Sequence, residues 1–307
     1  MTTLGFHTLD VFTDRRFGGN PLAVIFGGED APDATMQLVA REFNLSETVF
    51  VLPPTDPGAT HRVRIFTPAR ELPFAGHPTI GTAILLTLLG DARLADGGAR
   101  VVLEEPVGLV PVSIRLEGGR PVFGQLTAAR LPVAVAARPP AADLAAVLSL
   151  APADIIEDER DRPEAVSCGV PYLMIPVRNR AALARAAMAE ERWRHTLRSY
   201  WAADVYVFCR DPELPGSAIR ARMFALELGI VEDPATGSAV AGLAGYLAPR
   251  EARGSGTLRW TVEQGFEMGR PSLLHLEADV GEGAVRAVRV GGAAVPVSQG
   301  TLPADGP

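Results

Sequence analysis

Two short stretches of this sequence carry residue types at a spacing that proton-transfer chemistry needs. In NLSETVFVL, Glu47 stands between Leu45 and Val49 at the mouth of a strand-like run. A carboxyl group among apolar neighbours is raised toward neutrality, where it can act first as base and then as acid. In ELPFAGHPTIG and EDPATGSAVAG a Pro-X-X-Gly turn ends at Gly76 and at Gly237, and each turn leads straight into an uncharged run. His77 follows the first turn, with Pro78 in first-turn position, and Ser238 follows the second as an expected N-cap. The start of a helix offers unpaired N–H groups and the positive end of a dipole, which together receive a carboxylate or carbonyl oxygen. Gly76 and Gly237 let a ligand come close to that backbone. Asp233, just before the second turn, adds a further polar group, while Ser46 beside Glu47 and Asn20 in GGNPLAVIF are candidates to line the same place.

The elements that must position these residues read as follows. HPTIGTAILLTLLG (77–90) and SAVAGLAGYLA (238–248) hold no formal charge when His77 is neutral. A helix apolar all round has no solvent face, so each is expected at the centre of its domain, and both are too short for a bilayer. Residues 33–43 read as an amphipathic surface helix with Asp33 as N-cap, and 181–200 as another, the longest helical pattern in the chain. Short β-like runs at 63–67, 101–104, 110–116, 122–127, 172–177, 205–209, 258–262, 273–276 and 284–290 lie between them.

The sequence also repeats itself. Glu71–Leu86 matches Glu232–Leu247 at an offset of 161, Arg64-Ile65-Phe66 matches Arg222-Met223-Phe224 at 158, Thr48 to Val51 matches Asp204 to Val207 at 156, and Gly19 to Leu22 matches Gly169 to Tyr172 at 150. Four matches in order imply duplication. The expected fold is α+β, two pseudo-symmetric domains that each wrap a mixed sheet or barrel around one buried helix. The boundaries fall at 1–128 and 129–290, with a strand at about 291–302 packing back on the first domain. If the two helix starts face one another, the cleft between the domains receives a small acid. Chemistry that needs one acid/base group breaks the symmetry: Glu47 aligns with Ala203, Asp233 with Leu72 and His77 with Ser238.

Composition excludes several function classes. A net charge of −7 argues against nucleic-acid or anionic-membrane surfaces. All 29 basic residues are Arg, so Schiff-base lysines, pyridoxal phosphate and Walker-type phosphate loops are absent. Cys168 and Cys209 are too few for a disulfide framework, and both read as small packing residues. His7, His61, His195 and His275 lack metal-ligand spacing, so no metal is expected. Without a signal pattern or a long apolar run, the expected location is the cytoplasm.

GGNPLAVIF, NLSETVFV, RIFTPARELPFAGHPTIGTA and EDPATGSAVAG together resemble the phenazine-biosynthesis isomerase family, which shares the diaminopimelate-epimerase fold. The likeness runs from about residue 6 to 248 and ends in a family-like strand at 292–300. It implies that Glu47 is the catalytic glutamate, shuttling a proton between two carbons of dihydro-hydroxyanthranilate without metal or organic cofactor. It places substrate contacts on His77, Asp233 and Ser238, with Gly76 and Gly237 beside them, and it implies a homodimer. Epimerases of the wider fold use two opposed cysteines, and Ala75 and Thr236 stand at those positions here. The expected function is a cofactor-independent isomerase of a small cyclic carboxylic acid. An amino-acid epimerase using Glu47 and another base, and a catalytically silent small-acid binding protein, are the alternatives.

Overall fold

The structure is a computed structural model of the 307-residue chain and describes residues 3–95, 97–135, 138–251 and 254–303. The chain divides into two compact units, Met1–Thr127 with Gly291–Pro307, and Ala128–Val290. In the proline- and alanine-rich stretch at 128–142, residues 136–137 lie outside the described residues.

The first unit runs β1 (Thr3–Val11), β2 (Asn20–Phe26), α1 (Asp33–Phe43), β3 (Glu47–Leu52), β4 (His61–Phe66), β5 (Glu71–Leu72), α2 (Gly76–Leu89), β6 (Arg93–Ala95), β7 (Gly98–Glu105), β8 (Gly108–Glu117) and β9 (Arg120–Thr127). The second runs β10 (Val133–Val135), α3 (Ala141–Val147), β11 (Glu164–Ser167), β12 (Pro171–Pro176), α4 (Arg180–Arg185), α5 (Glu190–Thr196), β13 (Asp204–Cys209), β14 (Ile219–Ala225), β15 (Ile230–Asp233), α6 (Gly237–Glu251), β16 (Gly256–Gln264), β17 (Ser272–Gly281) and β18 (Ala284–Gly292). The last strand, β19 (Ala294–Pro303), returns to the first unit and pairs with β1. The architecture is the expected α+β one, with a buried helix against mixed strands in each unit.

The repeat seen in the sequence is a repeat of strand pairing. In the first unit β2 and β3 are parallel with Leu22 opposite Glu47, β3 and β4 are antiparallel with Thr48 opposite Phe66, and β4 runs parallel to β7. In the second, β12 and β13 are parallel with Tyr172 opposite Asp204, β13 and β14 are antiparallel with Val205 opposite Phe224, and β14 runs parallel to β16. These registers move one pairing by a residue: Asp204, not Ala203, holds the place of Glu47. Sequence matching followed apolar identity along the strand, whereas hydrogen-bond register decides which residues are opposite.

Both uncharged runs form the buried helices they predict. In α2 every residue from His77 to Leu86 is buried, and in α6 burial runs from Ala239 to Ala248. Fully burying an aliphatic side chain such as Ile80 or Ile84 contributes about 1.5–3 kcal/mol, so these helices are held by packing rather than by propensity. Close approach requires glycine on both. A methyl group at Gly81 would stand 2.6 Å from Val11 Cγ2, and one at Gly245 would stand 2.4 Å from Pro132 Cβ.

Three further expectations differ from the structure. Asp33 is the first helical residue rather than the cap of α1; its carboxylate sits 2.5 Å from Arg64 Nη1 instead of on the helix backbone. Residues 181–200 are two short helices, and the longest helix is α6. The break is tertiary in origin: Arg222 Nη1 donates to the carbonyls of Leu183, Ala184 and Ala186 at 3.0, 3.2 and 2.6 Å, and the N–H groups of Ala187 and Ala189 reach Leu148 and Val147. Ser238 lies inside the first turn of α6 and does not cap it; the first intrahelical bond runs from Val240 N–H to the Thr236 carbonyl.

One device recurs in front of each central helix. Arg64 donates a two-pronged pair of bonds to Glu71 at 2.8 and 2.6 Å, and Arg222 does the same to Glu232 at 2.8 Å for both. Each guanidinium also lies over a phenylalanine two residues on, Phe66 at 5.1 Å and Phe224 at 5.0 Å. Bidentate geometry fixes orientation as well as distance, so the short strand that delivers the Pro-X-X-Gly turn is locked to the sheet in both units.

Candidate active site

In the first unit, α1 ends on Asn44 in the left-handed conformation with φ of 51°, which turns the chain sharply into Leu45, Ser46 and Glu47. Glu47 therefore opens β3, and its side chain is largely buried at 13% exposure. Because residues opposite one another in a parallel pair share a face, Glu47 lies on the same side of the sheet as Leu22, which packs towards Gly81 of α2. Asn20, two residues before Leu22 and fully buried, belongs to that face as well.

From the other direction, the turn after β5 brings Gly76 and His77 into the first turn of α2. His77 Nε2 comes to 3.4 Å from Glu47 Oε2, with the imidazole 5% exposed. Burial pushes the His77 pKa down to about 3, so the ring is neutral at pH 7. The contact is therefore a polar approach of a neutral imidazole to a carboxyl group rather than an ion pair, and 3.4 Å is long for a hydrogen bond. Nε2 of His77 is buried without a hydrogen-bond partner. Glu47 and His77, thirty positions apart in the sequence, are brought together by β3 and the first turn of α2, with Asn20, Ser46 and Gly76 on the adjoining backbone.

In the second unit Asp233 closes β15 and is buried. Its Oδ2 accepts a bond from Thr236 Oγ1 at 2.5 Å, which bends the Pro-X-X-Gly turn back on itself. Gln264 holds the same turn from β16: its Nε2 donates to the Asp233 carbonyl at 2.8 Å and to Thr236 Oγ1 at 2.9 Å, and its Oε1 accepts from Thr236 N–H at 3.3 Å and Tyr206 O–H at 3.2 Å. Gly237 and Ser238 then open α6, and Ser238 Oγ is 2.7 Å from Tyr172 O–H. Asp233, Gly237 and Ser238 are thus collected in one rigid turn. Thr236 stands inside the motif, but Gln264, Tyr206 and Tyr172 come from separate strands, and no sequence spacing announces them.

The remaining sequence candidates stand apart. Cys168 Sγ donates to the Ala241 carbonyl at 3.3 Å and Cys209 is buried in the core, and burial pushes both thiols well up, to about 12 and 11. His61 lies 3.6 Å from Asp91, and His275 lies 3.3 Å from Thr261. Among the described residues no three His, Cys, Asp or Glu side chains converge as a metal site requires. No helix among them is long and apolar enough to cross a membrane.

Residues 9–300 match the family model described as phenazine biosynthesis-like protein. The chain belongs to that family. It is 42% identical over 306 residues to an uncharacterised isomerase of Mesorhizobium japonicum, covering 98% of this chain and 99% of the relative. It is 35% identical over 300 residues to the trans-2,3-dihydro-3-hydroxyanthranilate isomerase of Pseudomonas aeruginosa, covering 95% and 96%. In fold it is similar to the crystal structure of a Bacillus anthracis phenazine biosynthesis protein of the PhzF family, with a TM-score of 0.87 at 24% identity over 98% of this chain and 99% of that one. Near-complete coverage by relatives of the isomerase type makes this protein an enzyme of the isomerase class.

Proposed function

We propose that the protein isomerises a small cyclic carboxylic acid of the dihydro-hydroxyanthranilate type by moving a proton between two carbons, with Glu47 as the shuttle. The observation that carries this reading is the largely buried Glu47 carboxyl beside the neutral His77 imidazole, 3.4 Å apart at the start of α2. In the step, the Glu47 carboxylate accepts a proton from a carbon of the substrate, leaving the electron pair delocalised over the adjoining unsaturated system. Protonated Glu47 then returns the proton to a second carbon, so the atoms balance and only the double bonds move. His77, being neutral, orients and polarises without contributing a charge. The N–H groups that open α2 and α6 at Gly76 and Gly237 suit the carboxylate or carbonyl oxygen.

Asp233 and Ser238 take substrate-holding roles on the strength of the family motif, with Asn20 and Ser46 lining the same reaction. Proceeding without metal or organic cofactor, in a cytoplasmic homodimer, is part of the same reading. Light scattering coupled to size exclusion tests the assembly.

The chemical test is incubation with trans-2,3-dihydro-3-hydroxyanthranilate in D2O, following absorbance for product and mass for deuterium. Glu47→Gln, nearly isosteric but unable to carry the proton, is expected to lower turnover by at least a thousandfold. A folded Glu47→Gln protein with undiminished turnover would sink the mechanism.

A further inference from the structure

Asp204 stands in the second unit where Glu47 stands in the first. It opens the second strand of the parallel pair, opposite Tyr172 as Glu47 is opposite Leu22. The next pairing agrees, since Val205 faces Phe224 as Thr48 faces Phe66. Alternation along β13 fixes its direction. Val205, Val207 and Cys209 belong to the apolar core shared with α3, α4 and α5, so Asp204, Tyr206 and Phe208 point to the opposite face. That face is the one against α6: Phe208 meets Tyr246 edge-on at 5.2 Å, and Tyr206 reaches the Gln264 network that holds Asp233 and Thr236. The strand neighbour of Asp204 on this face, Tyr172, bonds Ser238 at 2.7 Å.

Asp204 is 7% exposed, and its Oδ1 is buried with no hydrogen-bond partner. Leaving a buried carboxyl oxygen unpaired costs stability, and the charge that acts on it, Glu227, has its own sign. Tyr172 lies opposite it on β12, Tyr206 shares its face two residues along β13, and Glu227, in the turn before β15, is the charge that acts on it. Burial, with the Glu227 charge added, raises the Asp204 pKa to about 7, so the group exchanges its proton near neutral pH.

We propose that Asp204 is a proton-transfer group of the second unit, acting as general acid on a ligand held by Tyr172, Ser238 and the start of α6. As negative charge develops on an oxygen of that ligand, the O–H bond of the Asp204 carboxyl breaks and the O–H bond of the ligand forms. The proton returns when the charge collapses, so no co-reactant is needed. This rests on the isomerase reading for its substrate.

The test compares wild type, Glu47→Gln, Asp204→Asn and Asp204→Glu on trans-2,3-dihydro-3-hydroxyanthranilate, with kcat and KM measured from pH 5 to 9 and melting temperatures alongside. The expected result for Asp204→Asn is a fall in kcat of at least tenfold with KM moved less than threefold. The bend near pH 7 disappears, the melting temperature stays at or above that of wild type, and Asp204→Glu recovers part of the rate. If Glu47→Gln is inactive while Asp204→Asn turns over at the wild-type rate, the Asp204 inference is overturned and the Glu47 mechanism stands. If Glu47→Gln is active while Asp204→Asn is not, the Glu47 mechanism falls and Asp204 becomes the principal acid/base. A rate loss accompanied by a lower melting temperature and unrelieved by Asp204→Glu reduces Asp204 to a structural residue. A wild type that leaves the compound unchanged removes both readings for this substrate class.

Discussion

Glu105 gives the sharpest quantitative test of how these central helices are seated. It ends β7 beneath the first turn of α2 and is 4% exposed. Thr79 Oγ1 lies 2.7 Å from the Ala75 carbonyl oxygen and also 2.7 Å from Glu105 Oε1. A hydroxyl has one hydrogen. With that hydrogen on the carbonyl, the second contact needs a proton on Glu105. Burial supplies the reason for the proton, pushing Glu105 up from 4.5 to about 8 against the opposing pull of the Thr79 bond. The second unit makes the same point with different chemistry. There the register position of Glu105 is Gln264, whose amide is a permanent donor to Asp233 and Thr236. A protonated glutamate imitates that glutamine.

The folded state therefore holds a proton that the unfolded chain has released, and stability falls as pH rises from about 4.5 to about 8. Each pH unit in that window costs about 1.4 kcal/mol, or roughly 3 kcal/mol by pH 7 if the site stays dry. Glu105 also borders an open cavity of about 410 Å³ lined by Thr55, Asp56, Glu104 and Leu109, and water there relieves part of the cost. The Glu105→Gln protein is expected to be more stable than wild type by about 1–3 kcal/mol at pH 7. The difference should widen towards pH 8 and vanish below pH 4.5. Urea denaturation at fixed pH values, read with hydrogen exchange of the α2 amides, measures it. A variant less stable than wild type at pH 7, or a difference that does not change with pH, refutes the protonated-carboxyl reasoning.

Other outcomes follow from the same geometry. Because His77 is held neutral with its pKa near 3, the unfolded chain binds the extra proton below about 6.5, and stability is lost as pH falls through that range; His77→Asn should flatten this acid limb in thermal melts. The same variant should lower kcat/KM while keeping the wild-type bends of the pH–rate profile, since the imidazole does not titrate there. Removing the Arg222 fork with Arg222→Met strands Glu232 at 14% side-chain exposure and frees three carbonyls. It should cost about 3–5 kcal/mol, read as a lower urea midpoint with early exchange in α4 and α6.

Much of this protein is legible one residue at a time. The uncharged runs at 77–90 and 238–248 could only be buried helices, because no side chain in them tolerates a solvent face selectively. Seven of the nine short β-like runs lie within strands and the other two, 63–67 and 172–177, overrun theirs by one residue, since alternation and β-branched content are local properties. The boundaries of α1 were visible in its amphipathic pattern, and the Glu47, His77, Asp233 and Ser238 candidates stood out by motif. What the chain alone could not decide was every matter settled by a partner distant in sequence. Arg222 breaks the 181–200 helix by capturing its carbonyls from another strand. Tyr172 takes the Ser238 hydroxyl away from any capping role. Gln264 and Tyr206 reach the Asp233 turn from β16 and β13. The register of β13, set by hydrogen bonds to β12 and β14, puts Asp204 rather than Ala203 opposite the role of Glu47. Periodicity and composition are written along the chain, whereas register, burial of single polar atoms and the capture of backbone groups by remote side chains exist only once the strands are side by side.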